Sequence, residues 1–322
     1  MVKFLVALLF ACASTGVSLA QAQDFPTRPL RMVVPTGPGG GYDFIARHLA
    51  DRLPEHLGQP IVVENRAGGG GQLGTQVVAN APPDGYTVLI GGLGNMTWVP
   101  ALYPKVQYDA IADFVPVAIV AAFPFALVGR SELPYASLEE CLRYARANPG
   151  KLTIANPGAG TGQHIAAAML QSLAGIEVLH VSYKSAQQAY PDLLSGRVDL
   201  FFDNLAIVGP LIEGGRLRAY AVSSPERSPL LPNVPAAREA GLEGFDVESW
   251  IGLFVPARTP PRVVERLRGA VAQAMQSSEM RNRLQAGGWR IFTLSGVQTE
   301  TFLKSEADRW IPLLRRAGVT VE

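Results

Sequence analysis

Val33-Val34-Pro35-Thr36-Gly37-Pro38-Gly39-Gly40-Gly41-Tyr42-Asp43 is an apolar run that meets a glycine-rich corner, then an acidic residue heading an amphipathic segment. It reads as strand, turn and helix. Glycine lets the backbone turn where other residues are strained and leaves the main chain bare for a ligand. A helix starting behind such a corner points its unpaired N–H groups and the positive end of its dipole into it. That combination suits an anion, above all a carboxylate or phosphate. The plainer reading is a tight strand-to-helix connection with Asp43 as N-cap.

Outward from this corner the same grammar repeats. Leu30–Thr36 predicts a buried strand, and Ile45, Leu49 and Leu53 recur at helical spacing until Pro54 ends or bends the helix. Ile61–Asn65 is a second strand, Gly68–Gly71 a second loop leading to a short helix through Val77 and Val78, and Tyr86–Ile90 a third strand. Strand, glycine loop, helix, strand describes a parallel sheet covered by helices. Val115–Val128 is a longer apolar run, interrupted by Pro124, that suits a crossing between two lobes. After a helix over Ser137–Ala147 the series restarts, with strands at Leu152–Ala155, Val178–Tyr183, Val198–Asp203 and Leu217–Val222. A helix over Gln163–Leu173 carries Ile165, Met169 and Leu173 on one face. Trp250–Val255 is a further apolar run, and Pro261 opens a helix with Val264, Leu267, Val271 and Met275. A last helix from Thr299 ends or kinks at Pro312, and the tail, with no strand series of its own, is expected to pack back on the first lobe. The expected organisation is a leader over 1–22, one lobe from 23–124 plus 251–322, and another from 125–250.

Composition excludes more than it proposes. Of 322 residues 48% are apolar and 17% charged, enough for a substantial core and against wholesale disorder. A net charge of +1 gives no reason to expect nucleic acid or an anionic membrane as partner. Lys3, the apolar Phe4–Phe10 and Ala20-Gln21-Ala22 have the layout of an export signal cleaved near Ala22. Leu9-Phe10-Ala11-Cys12 is only a faint lipoprotein pattern, and without the leader Cys141 stands alone, so no internal disulfide is expected. Gly69-Gly70-Gly71-Gln72-Leu73-Gly74 fits a dinucleotide fingerprint, but the next strand ends Leu89-Ile90-Gly91-Gly92 without the carboxylate that would hold a ribose. The histidines at 48, 56, 164 and 180 are scattered, no nucleophile elbow occurs, and neither metal nor cofactor is expected. Cys141 reads as a small buried apolar residue.

Asn156-Pro157-Gly158-Ala159-Gly160-Thr161-Gly162-Gln163-His164 is a second glycine loop opening a helix, in the other expected lobe. Ligands of open α/β sheets lie beyond the carboxyl ends of the strands, so two facing ends of this kind make a cleft with a positive dipole on both walls. His164, in the first turn after the loop, serves either to cap and pack or to touch a ligand.

The motifs as a set resemble the solute receptors of tripartite tricarboxylate transporters, the TctC-like or Bug family. The resemblance runs through Phe25-Pro26-Thr27-Arg28-Pro29-Leu30-Arg31, Gly37–Asp43 and Ile61-Val62-Val63-Glu64-Asn65-Arg66-Ala67-Gly68. It continues in Pro83-Asp84-Gly85-Tyr86-Thr87, Tyr183-Lys184, Asp192–Asp199, Asp203-Asn204 and Trp250–Pro256. It implies an α/β fold of the periplasmic binding protein type II class: two lobes, each with a mainly parallel sheet flanked by helices, hinged around a ligand cleft. It further implies a non-catalytic, monomeric periplasmic receptor that binds a small organic carboxylate and passes it to membrane permease subunits. In the family the carboxylate is held largely by main-chain groups and water from two glycine loops. That role falls here on Pro38, Gly39, Gly40, Gly41 and Asp43, and on Gly158, Ala159, Gly160, Thr161 and His164. Asn95, Tyr183 and Asp203 are expected as further cleft side chains, with Asp43 reading a ligand amine or hydroxyl or holding water. Ser185 stands where glycine is usual after Tyr-Lys, and Tyr42 where a small residue often precedes the aspartate. The alternatives are a secreted enzyme using Asp43 and His164 as an acid–base pair, or a module presenting ligand to a sensor.

Overall fold

The computed structural model describes residues 25–103 and 105–316, so the leader expected over 1–22, Cys12 with it, lies outside the described residues. In chain order β1 (Leu30–Val34), α1 (Gly41–Leu57), β2 (Ile61–Asn65), α2 (Gln72–Ala79) and β3 (Thr87–Gly92) build the first parallel unit. β1 lies between the other two strands, Met32 facing Val63 on one side and Val88 on the other. A wide helical turn over Gly94–Trp98 runs into the short α3 (Val99–Leu102) and then β4 (Phe114–Arg130). The second unit is α4 (Leu138–Ala147), β5 (Thr153–Asn156), α5 (Gly162–Ala174), β6 (Leu179–Ser182), α6 (Ala186–Ser195), β7 (Leu200–Asn204), α7 (Leu205–Glu213) and β8 (Leu217–Val222). The chain closes with β9 (Glu248–Pro256), α8 (Pro261–Gln276), α9 (Ser278–Ala286), β10 (Arg290–Ser295) and α10 (Val297–Arg316).

The strands follow the order β2-β1-β3-β9-β4-β7-β5-β6, with β8 and β10 also paired to β4. β4 explains the two-lobed shape. Its 17 residues carry no charge before Arg130 and are almost wholly buried. Up to Pro124 it pairs antiparallel with β9 and β10; from Phe125 it pairs antiparallel with β7 and β8. Pro124, which has no N–H to give a ladder, sits where the partners change. Beside it Ser223 ties the two crossing segments together, accepting from Phe125 N–H at 2.7 Å and donating to Val247 C=O at 2.6 Å. Each lobe therefore keeps the expected parallel set, β2-β1-β3 or β7-β5-β6, while antiparallel crossing strands join them. The division of the chain into lobes of 23–124 with 251–322 and of 125–250 stays a proposal.

The tail adds one strand that the sequence reading leaves out. β10 mixes half-buried and exposed residues along β4, its register shifting between Ile291 and Leu294. α10 runs through Pro312 to Arg316. Trp310 meets Trp98 edge to face at 4.9 Å, and the indole N–H groups of Trp250 and Trp310 both donate to the buried Glu306. These contacts fasten the tail to the β1–β3 unit. No helix among the described residues is long and apolar enough to cross a membrane.

Candidate functional site

The carboxyl ends of β1, β5 and β6 open onto one cleft of about 460 Å³ between the units, where α1, α5 and α6 begin. The first intrahelical bonds run from Phe44 N–H to Gly40 C=O and from Ile165 N–H to Thr161 C=O. The three N–H groups ahead of each have no helical partner, as at any helix start. Ser185 and Ala186 bring the uncapped start of α6 to the same wall. Lys184 is the one charged residue lining the cleft among the described residues, and no acidic residue lines it. A carboxylate entering this space meets dipoles and a cation of favourable sign on several sides.

Asp43 and His164 hold corresponding places in the two walls. Gly40 rather than Asp43 is the N-cap of α1, and Asp43 is the third helical residue. Its Oδ2 accepts the N–H of Gly39 at 2.9 Å and Arg47 Nε at 2.8 Å, and its Oδ1 accepts Asn65 Nδ2 at 2.9 Å. Burial opposes ionisation of this carboxyl, but the bonds from Arg47, Gly39 and Asn65 outweigh it and hold it below the usual carboxylate range. In α5 the third residue is His164, whose Nδ1 accepts the N–H of Gly160 at 3.2 Å. Accepting there assigns the ring proton to Nε2. Burial, with His180 against it at 5.4 Å, pushes His164 down to about 4 and keeps the ring neutral. Each side chain thus reaches back four residues to pin its own glycine loop.

Of the residues expected to contact a ligand, Gly40, Gly41, Asn95, Gly158, Ala159, Thr161 and Tyr183 line the cleft. Pro38, Gly39, Asp43, Gly160, His164 and Asp203 do not. The Asn95 side chain is committed to Gly92 N–H and Thr75 Oγ1, and the Tyr183 hydroxyl donates to Asp192 at 2.9 Å. Asp203 is buried behind Gln163, accepting from its Nε2 at 3.2 Å, from Tyr190 hydroxyl at 2.6 Å and from Asn204 N–H at 2.8 Å. Burial raises its carboxyl to about 6. Asp43 and His164, each spent on its own loop, form no acid–base pair on the cleft surface. Among the described residues no group of three or more His, Cys, Asp or Glu side chains is placed to hold a metal ion. Cys141 is fully buried in α4, its thiol pushed up to about 12 by burial, which keeps it from acting as a thiolate.

Sequence reasoning missed Tyr42, Phe123, Phe125 and Gln163 as lining residues. The two phenylalanines flank Pro124 and their rings pack edge to face at 5.2 Å, so both walls meet at the point where β4 changes partners. Their signal, aromatics on either side of a proline in the crossing run, looked like plain core. The Gly68–Gly71 loop has no nucleotide-binding context, and its glycines serve approach. A Cβ on Gly70, at φ +65°, would lie 2.5 Å from the carbonyl of Ala159 across the cleft. Tyr103 hydroxyl donates to that same carbonyl at 3.1 Å, and Gln187 Nε2 donates to Gly39 C=O at 2.8 Å. The two walls touch, so the cleft is shut.

Opposed titrations should show in the pH profile. Between its folded value of about 4 and the ordinary 6.5, His164 resists a proton that the unfolded chain accepts, so stability is lost as pH falls through that window. His180, lowered by burial, adds the same sign. Asp203, at about 6 against the ordinary 3.8, takes its proton first in the folded state, so stability is gained as pH falls from 6. The shifts of His164 and Asp203 amount to about 3 kcal/mol each. Scanning calorimetry at stepped pH is expected to give a shallow profile for the wild type. Asp203→Asn should lose stability steeply on acidification and His164→Asn should not; flat profiles in both would refute the assignment.

A family described as the tripartite tricarboxylate transporter family receptor matches residues 45–319. The structure described as periplasmic binding protein BugD is 33% identical, covers 92% of this chain and 100% of its own, and superposes with a TM-score of 0.89. Rpa4515 of R. palustris, solved with adipate, is 34% identical with a TM-score of 0.88, over 92% of this chain and 100% of that one. MatC of Rhodopseudomonas palustris, solved with bound malate, is 34% identical with a TM-score of 0.83, over 90% and 100%. With the two-lobed fold and the anion-suited cleft in place, these matches mean that the chain belongs to the tripartite tricarboxylate transporter receptor family.

Proposed function

We propose that this chain is a non-catalytic periplasmic receptor that closes, as a monomer, on a small organic carboxylate and passes it unchanged to the permease subunits of a tripartite tricarboxylate transporter. The observation that carries the reading is the sign of the cleft, with helix starts opening onto it, Lys184 as its one charged lining residue among the described residues and no acidic residue lining it. The bound adipate and malate of two relatives support the ligand class. Capture at micromolar concentration needs about −8 kcal/mol. Main-chain N–H groups bonded to a charged carboxylate contribute about 1.5–3 kcal/mol each, and the rings of Tyr42, Phe123 and Phe125 offer apolar contact for a ligand body. Ligand stabilises the closed form by its differential affinity for that form.

Native mass spectrometry of gently purified protein is expected to reveal a co-purifying organic acid. Titration calorimetry with that acid should give a dissociation constant near the micromolar range, and scattering a more compact particle. The acid should be recovered intact after prolonged incubation. A panel of organic acids giving neither heat nor compaction would defeat the reading, and turnover would replace receptor by enzyme. Recovery of a membrane kinase instead of permease subunits in a pull-down would replace delivery by sensing.

A further inference from the structure

Gln163 is the second residue of α5, at the uncapped helix start, and its side chain both lines the cleft and reaches the buried Asp203. Asp203 is fully buried, and every hydrogen bond it makes is accepted: from Asn204 N–H, from Tyr190 hydroxyl and from Gln163 Nε2. An ionised carboxylate has no proton to give, so it holds the nitrogen of the Gln163 amide and turns Oε1 the other way. The helix-start N–H groups and Lys184 on this cleft are all donors. Oε1 is therefore an acceptor set among donors, on the wall opposite the one from which the sequence suggested that Asp43 would supply it.

We propose that Gln163 reads a hydroxyl or ammonium group on the ligand and that Asp203 fixes the direction of its amide, which makes the preferred ligand at neutral pH a hydroxy- or amino-carboxylate. This rests on the carboxylate-receptor reading and goes beyond it, since relatives hold both a plain and a hydroxylated dicarboxylate. When Asp203 takes a proton it becomes a donor, the amide turns, and Nε2 faces a second carboxylate instead.

The surroundings leave this switch to few groups. α6 brings Tyr190, α5 brings Gln163, β4 places Ala126 opposite, β5 pairs with β7 up to Ala155 opposite Phe201, and α7 follows directly with Leu205. None of these is a charged side chain; His164, next to Gln163 on α5, accepts from Gly160 and meets the His180 ring edge to face at 5.4 Å. Burial accordingly brings Asp203 to about 6, within reach of mild acid. The Tyr190 hydroxyl is the one other partner that can reverse its bond, and a Tyr190→Phe variant separates the two.

Calorimetry on the mature chain with paired probes tests the proposal: succinate with malate, glutarate with glutamate, adipate with 2-aminoadipate, and benzoate with 4-hydroxybenzoate. At about pH 7.5 the hydroxylated or aminated member of any pair that binds is expected to be tighter by about tenfold or more, and the ratio should shrink at about pH 5. Gln163→Met should bring it near one, Asp203→Asn should make it low and independent of pH, and Tyr190→Phe should leave its pH dependence in place. Equal affinity within pairs, or preference for the plain member at about pH 7.5, overturns the role of Gln163. A ratio unmoved by pH overturns the role of Asp203. Failure of every probe to bind removes the carboxylate reading and this proposal with it, an outcome distinct from binding without discrimination.

Discussion

Gly37→Val is expected to weaken ligand binding by roughly 30- to 200-fold while leaving the ligand-free protein as stable as before. The reason lies in what surrounds this glycine. A Cβ at position 37 would meet the Cβ of Ser185 at 2.7 Å, with Lys184 C=O and Ser185 Cα next at 3.5 and 3.6 Å. All three atoms belong to the β6–α6 corner on the opposite wall. Gly37 is not among the glycines held at positive φ, so a side chain brings no backbone strain of its own. The open form accepts valine freely and only the closed form pays an overpacking cost, about 2–3 kcal/mol, which is the stated loss of affinity. Calorimetry with the co-purifying acid gives the affinity and scattering gives the degree of closure. Ser185→Gly, which removes the opposing Cβ, should rescue the variant. Wild-type affinity in Gly37→Val would mean that ligand binding does not bring these walls together.

The same glycine shows what was legible in the sequence. That the loop is glycine-rich, follows a strand and opens a helix is local information, and periodicity exposes it: β1, α1, β5 and α5 stand where the apolar spacing puts them. The crossing at Pro124 was legible too, because a long uncharged run broken by one proline has few other uses. The reason for a glycine at 37 was not, since the atom it avoids is on Ser185, far along the chain. Gln163 was hidden in the same way, its neighbour Asp203 lying 40 residues on. β10 was missed because an edge strand with one half-buried face has little apolar alternation to betray it. The brace formed by Asp43 was hidden for a subtler reason. An acid at a glycine-rich helix start suits three roles, a cap, a ligand contact and a loop brace, and sequence distinguishes them only if the partners Gly39, Arg47 and Asn65 are seen together.

That brace makes Asp43→Ala the substitution with the largest combined effect. It leaves Gly39 N–H without its acceptor and removes one of the two acceptors of Asn65 Nδ2, Thr36 C=O being the other, all in a partly buried setting. An unsatisfied buried donor costs about 1–3 kcal/mol, so a stability loss of about 2–4 kcal/mol is expected, seen as a lower denaturation midpoint. Binding should fall as well, because the carbonyl of Gly39 accepts the cross-cleft bond from Gln187 and a loosened loop no longer presents it. The pattern of loss identifies the mechanism. A residue that touched the ligand would discriminate among ligands, whereas a brace weakens hydroxylated and plain carboxylates by a common factor. Hydrogen exchange should quicken across residues 37–43, a change that mere loss of a ligand contact would not cause. The pH dependence follows from the lowered carboxyl: the contribution of Asp43 is complete above 3.8 and fades as pH falls below it, so wild-type and variant stabilities converge only in strong acid. If Asp43→Ala instead kept its stability and lost affinity for one ligand class alone, Asp43 would be a recognition residue, and the acceptor role assigned to Gln163 would pass back to it.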